Sequence, residues 1–155
     1  MWRCVSEKRA ERPPLPLWGT TTPHREHCSM FIEKDMEKRR TRNYATVVYS
    51  DSAPADWIML LQEQCVPALV SPLHNRDVNN DGTLKKEHYH VMLLFDGVKT
   101  REQAQEVFSA IGGVGIEPIK CARAYARYLC HLDNPQKAQY DIADVISCSG
   151  ADYYT

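Results

Sequence analysis

At 155 residues, with 43% hydrophobic residues and 19 Lys plus Arg against 20 Asp plus Glu, the chain is long enough to bury one core and carries almost no net charge. One globular unit with room for a tail is the expected organisation, because domains run about 100 to 200 residues. No stretch repeats at a fixed period, which argues against a solenoid; the longest apolar runs (Trp57 to Leu61, Val91 to Phe95) are far too short to cross a bilayer, which argues against a membrane protein; and with no apolar segment before the first charges after Met1, neither a secretory signal nor export is indicated.

Charge is unevenly distributed. Residues 1–42 carry 10 basic and 6 acidic side chains and four of the nine prolines, leaving 9 basic and 14 acidic for the rest. The first 42 residues read as a flexible extension whose basic end, Lys38 to Arg42, is either a solvated charge run or a contact for a polyanion. From Asn43 the pattern is that of a compact domain. Tyr44 to Tyr49 is rich in β-formers and reads as a buried strand. Trp57, Leu60 and Leu61 then fall at helical spacing, and Ala68 to Leu73 is a second apolar strand that Pro72 stops. Asn79-Asn80-Asp81-Gly82 is a turn leading to a strand from about Glu87 to Phe95.

Thr100 and Gln103 match a capping box ahead of Ala104, Val107, Phe108 and Ile111, which predicts a helix ending at Gly112. A strand near Gly115 to Lys120 and a helix from Ala122 to His131 complete the order β-α-β-β-α-β-α. That order implies an α+β fold: an antiparallel sheet with helices mainly on one face, ferredoxin-like or RNA-recognition-motif-like. The six cysteines are scattered without a C-x-x-C pair and read as free thiols of a cytoplasmic protein.

The chemistry concentrates in three segments. His88 and His90 sit two apart in the third strand, so they project from one face about 7 Å apart, while Tyr89, Val91, Leu93 and Phe95 face the core. An H-x-H alone also fits two histidines on a wet sheet face with no ligand. If the Asp81-Gly82 turn folds the second strand back on the third, His74 and Asp77 arrive beside them. Three imidazoles and a carboxylate suit a divalent ion, Mn²⁺ rather than Mg²⁺, with positions open for substrate oxygens. Asp77 taken alone also fits a turn or cap, and Asp81 is a turn residue. On the last helix Tyr125 and Tyr128 share a face and are either packing residues or phenols aimed at a bound phosphate.

The segments SPLHNRD (71–77), EHYHVML (87–93) and AYARYLCHLDNP (124–135), in this order, resemble the motifs of the HUH endonucleases, specifically the replication initiators of small rolling-circle plasmids. The resemblance covers roughly Asn43 to Tyr153, with a leading YATVVYSDSAPADW and a trailing KAQYD. It implies an enzyme that nicks one strand of single-stranded or hairpin origin DNA through a covalent 5'-phosphotyrosine. The 3'-hydroxyl left behind primes the host polymerase and helicase machinery. By matching motif, His74, Asp77, His88 and His90 are the implied metal ligands and Tyr128 the nucleophile, with Tyr125 and His131 positioning. Lys85, Lys86, Lys120, Arg123 and Arg127 are candidate DNA contacts that flank the histidine strand and the tyrosine helix. The N-terminal extension has no recognised counterpart in the family, and the chain ends at Thr155 where such initiators commonly continue into an oligomerisation segment, so oligomerisation is possible but not supported by this chain.

A non-catalytic RNA-recognition-like module is the alternative, but such modules present aromatics on the exposed sheet face, where this chain has His88 and His90. A cupin-type enzyme would want a glutamate soon after the H-x-H, and a two-histidine phosphodiesterase a second H-x-[ST]; neither is present.

Overall fold

The computed structural model describes residues 40–154. The extension expected over residues 1–42 therefore lies outside the described residues apart from its last three, and Thr41 and Arg42 open the first strand. In chain order the elements are β1 (Thr41–Tyr49), α1 (Trp57–Glu63), β2 (Ala68–Val70), β3 (His88–Lys99), α2 (Arg101–Ala110), β4 (Val114–Pro118), α3 (Ala122–Tyr128), a 3-10 turn (Ile142–Asp144) and β5 (Ile146–Cys148). The five strands form one antiparallel sheet in the order β4-β1-β3-β2-β5. The α+β reading holds, with β5 added beside β2.

Local chemistry explains the boundaries. Pro72 stops β2, and the Asn79 to Thr83 turn closes with Gly82 at φ +83°, a conformation that favours glycine. Asp81 Oδ1 accepts from the Thr83 N–H at 3.0 Å, confirming its turn role. Backbone pairing resumes on either side of this loop, at Val78 with Leu84 and at His74 with His88. The capping box of α2 is complete, each of Thr100 and Gln103 bonding the other's backbone N–H.

Helix α3 is shorter than its sequence suggests, ending at Tyr128 rather than at His131. The Leu132 N–H donates to Arg127 O and the His131 N–H to Tyr128 O, closing the helix as a Schellman-type cap. His131 takes the left-handed position (φ +58°) that glycine usually fills.

Alternation along β3 divides the sheet into two faces. Val91 and Leu93 join Tyr44, Val48, Leu61 and Phe108 in the larger core under α1 and α2. Met92 turns the other way and packs with Ala45, Leu69, Ile119 and Leu129 under α3. Burying a side chain such as Phe108 or Leu61 contributes about 1.5–3 kcal/mol, so the first face anchors the sheet. The second face is thinner, and it carries His88 and His90. Among the described residues the cysteines are free, and no helix is long and apolar enough to cross a membrane.

Candidate active site

The backbone ladder sets the histidine geometry. In β3 the even positions His88 and His90 face α3, and β1 holds them in register through Tyr49 opposite His88 and Val47 opposite His90. His74, beyond β2, is tied to His88 by reciprocal backbone bonds of 2.9 and 3.3 Å. The three rings form a near-equilateral triangle, with centroid separations of 5.3 Å (74–88), 5.0 Å (74–90) and 5.1 Å (88–90). Each is at least 92% buried, His74 completely.

The hydrogen bonds define which nitrogens are available. His74 Nε2 donates to Leu129 O at 2.9 Å, His88 Nδ1 to Lys86 O at 2.7 Å, and His131 Nδ1 to Ala138 O at 2.9 Å. A backbone carbonyl on one ring nitrogen fixes the tautomer and leaves the other as a lone pair, the usual arrangement behind metal-binding histidines. Accordingly His74 Nδ1 and His131 Nε2 are buried without partners, as is His90 Nδ1. The His74 Nδ1 lone pair faces Asp77 Oδ2 at 3.7 Å, an arrangement that calls for a cation between them. Burial foremost keeps two of the rings neutral and ready to ligate, pushing the pKa of His74 down to about 4 and that of His90 down to about 3. These residues fit a divalent cation.

Two ligand groups share His74. One is His74, His88 and His90; the other is His74, Asp77 and His131. Asp77 thus converges on the cluster from the His131 side, with Oδ1 3.6 Å from His131 Nδ1. The sequence placed it beside His88 and His90; the shared ring of His74 is what connects it to them.

Tyr128, at the last turn of α3, lies 5.3 Å from the His90 ring and 5.3 Å from the His131 ring, centroid to centroid. Tyr125, one turn earlier, packs on the sheet beside Tyr128 at 5.5 Å, and burial, Glu117 and Tyr128 all raise its phenol pKa. The chain places Lys85 and Lys86 on a recess shared with His88, His90 and Tyr128. Lys86 also pairs with Asp51 at 2.9 Å. Arg123 and Arg127 do not border that recess. They line a groove on the opposite flank of α3 with Leu69, Met92 and Tyr153, and Arg127 is held there by Asp133 at 2.6 Å. The i, i+4 spacing directs both arginines away from the face that carries Tyr125 and Tyr128. Lys120 is exposed at the entry to α3.

Sequence reasoning missed two residues. Lys137 Nζ lies 3.4 Å from Tyr128 Oη and 4.8 Å from the centre of its ring. Tyr140 stacks on His74 at 4.3 Å and 8°, and its hydroxyl donates to Asp77 Oδ1 at 3.2 Å. Both fall in the KAQYD segment, whose irregular backbone offers no periodicity from which side-chain direction could be read.

A family profile described as plasmid replication protein, origin binding domain, matches residues 36–153. The chain is also similar to Replication protein RepB of Lactiplantibacillus plantarum, 41% identical over 114 residues, which are 74% of this chain and 51% of that protein. Replication protein of Staphylococcus aureus is 34% identical over 119 residues, 77% of this chain and 60% of that protein. The chain therefore spans little more than half the length of these relatives.

Proposed function

The chain belongs to the family of plasmid replication protein origin-binding domains, and on that premise we propose that it initiates plasmid replication by binding origin DNA and nicking one strand at the histidine–tyrosine centre. The observation that carries this reading is the contact of Tyr128 with His90, one of three buried imidazoles whose remaining nitrogens have lone pairs to give.

His74, His88 and His90, with Asp77 beside them, would hold the ion, and Mn²⁺ suits this nitrogen-rich set better than Mg²⁺. When bound, the ion supplies Lewis-acid polarisation of a phosphate oxygen. Tyr128 Oη attacks phosphorus and the bond to the 3' oxygen breaks, giving a 5'-phosphotyrosine and a free 3'-hydroxyl. The proton lost by the phenol balances the one gained by the leaving oxygen. A protonated phenol is a weak nucleophile, so it needs electrostatic help. The Lys137 ammonium, already against Tyr128 Oη, would offset negative charge there as the bond forms. Helix α3 holds the phenol in one orientation, which lowers the entropic part of the barrier. Because the phosphotyrosine keeps much of the diester's bond energy, the step can reverse and rejoin a strand, and the 3'-hydroxyl is a primer for rolling-circle synthesis by a host polymerase.

The test is incubation with a labelled single-stranded origin oligonucleotide and Mn²⁺, followed by denaturing electrophoresis. A covalent adduct is expected from the native chain and none from Tyr128→Phe. An adduct formed by Tyr128→Phe at the native rate removes the nucleophile assignment. Undiminished Mn²⁺ binding by a His88→Ala, His90→Ala double variant removes the metal site.

A further inference from the structure

Tyr128, His90 and Val47 form a partition between two recesses of different chemistry. On the β3 side the recess, about 330 Å³, carries Lys85, Lys86 and Asn79, a set matched to backbone phosphates, and its one carboxylate, Asp77, belongs to the histidine cluster that could hold a cation. The recess on the β4 side, about 450 Å³, is walled by Val114, the Tyr125 ring and the backbone at Ile116, whose side chain packs into the core on the other face, and its one carboxylate is that of Glu117. β4 is an edge strand, so this recess opens directly to solvent. Gly115, at φ +75°, has no atom within 4 Å of where a Cβ would lie, which keeps the wall open. Its carbonyl is fixed by the Thr46 hydroxyl at 2.7 Å.

Unlike Asp77, Glu117 belongs to no group that could hold a cation, and a carboxylate without a counter-charge opposes phosphate binding. Glu117 is exposed and makes no hydrogen bond or ion pair with another side chain among the described residues, so its oxygens remain available as acceptors. A nucleobase provides what such a site would take: a π face for the aliphatic and phenolic walls, and N–H donors on its edge for the carboxylate. We propose that the β4-side recess is a nucleobase subsite, and that Glu117 selects guanine at a position adjacent to the scissile phosphate. Among the four bases only guanine sets two adjacent N–H donors, N1–H and the 2-amino group, against the two oxygens of one carboxylate. Adenine and cytosine each offer one donor beside an acceptor, and thymine offers one donor between two carbonyls. The influence of Glu117 on the Tyr125 phenol is consistent with a carboxylate turned into this recess.

The subsite rests on the nicking reading for its distance from the cut, so the test has two arms. In the first, the full chain with Mn²⁺ is offered a pool of random single-stranded oligonucleotides. The protein-linked strands and the released strands are both sequenced, which together report the bases on either side of the cut. The native chain should enrich guanine about tenfold at one flanking position, Glu117→Gln should lose that enrichment, and the other positions should keep their profile. In the second arm, binding of an oligothymidine carrying one central guanine is compared with that of plain oligothymidine, with no cleavage required. A preference of about tenfold is expected from the native chain and none from Glu117→Gln. Linked strands whose profile is the same in the native chain and in Glu117→Gln overturn the subsite and leave nicking intact. No linked strand from the native chain, with the guanine preference of the second arm present, overturns nicking and keeps the subsite; a native chain without that preference overturns the subsite.

Discussion

Replacing His90 by leucine should make the metal-free protein more stable while removing its response to metal. In the native chain the His90 ring is 8% exposed and contributes a buried Nδ1 with no partner. A buried polar atom left unsatisfied costs about 1–3 kcal/mol. Leucine has a similar volume and no polar atom, and it would meet the same neighbours, the rings of His74, His88 and Tyr128. Allowing for imperfect shape, the net gain in EDTA is about 1 kcal/mol, a rise of about 4 °C in Tm for a domain of this size. If the proposed site binds Mn²⁺, the ion at a hundred times its Kd should stabilise the native chain by about 2.7 kcal/mol, whereas the variant lacks one of the proposed ligands and should not respond. Thermal unfolding followed by circular dichroism, with EDTA and then with Mn²⁺, would reveal a crossover: variant above native in EDTA, native above variant in Mn²⁺. A variant that is the less stable of the two in EDTA, or whose Tm follows Mn²⁺ as the native one does, refutes the reasoning.

Four further outcomes can be measured. Lys137→Met should slow adduct formation about tenfold, with Lys137→Arg recovering part of the rate, since the effect is that of a positive charge at Tyr128 Oη; equal rates for Met and native would exclude it. In EDTA the protein should be most stable above pH 6.5 and weaken as pH falls toward the depressed folded values of about 4 and about 3 for His74 and His90, because the unfolded chain takes up those protons first. The loss is at most about 1.4 kcal/mol per pH unit for each ring, and equal urea midpoints at pH 7 and pH 5 would contradict it. Gly113→Ala should cost about 2 kcal/mol by chemical denaturation, because a Cβ there would sit 2.8 Å from Thr46 Oγ1 and 3.0 Å from Phe108 O. Thr100→Ala, which removes the side chain that caps α2, should cost about 1 kcal/mol, and a loss below a few tenths would mean that the cap is dispensable.

What could be read from the sequence was whatever depends on periodicity or on a local signature. The alternation through His88 to Phe95, the capping box at Thr100 and the Asn79 to Gly82 turn fix side-chain direction within a few residues, and each is present in the fold. Beyond them, the meeting of His74 with His88 followed from one hairpin. The relation between α3 and the sheet did not follow, because a seven-residue helix with no fully buried side chain carries little directional pattern. For that reason the pattern does not show that Arg123 and Arg127 line a different groove from Lys85 and Lys86, nor that the helix ends before His131. Lys137 and Tyr140 reach the site through an irregular segment, and β5 is only three residues long, so its pairing depends on contacts with β2 that a single sequence does not encode visibly.

His74 holds two parts of the molecule at once. One ring nitrogen is directed at the ligand cluster, and the other holds the carbonyl of Leu129, the residue directly after Tyr128. The proposed nucleophile and the histidine cluster that could hold an ion are therefore parts of one rigid lever, with the His74 imidazole as its arm. An attempt to retune the choice of metal by exchanging this ligand for Asp, Glu or Cys would also release the end of the tyrosine helix. His88, whose ring meets Tyr49, His74 and His90 and whose Nδ1 holds the Lys86 carbonyl, has no such second duty toward α3, and is the position at which a metal preference could be altered without moving the tyrosine.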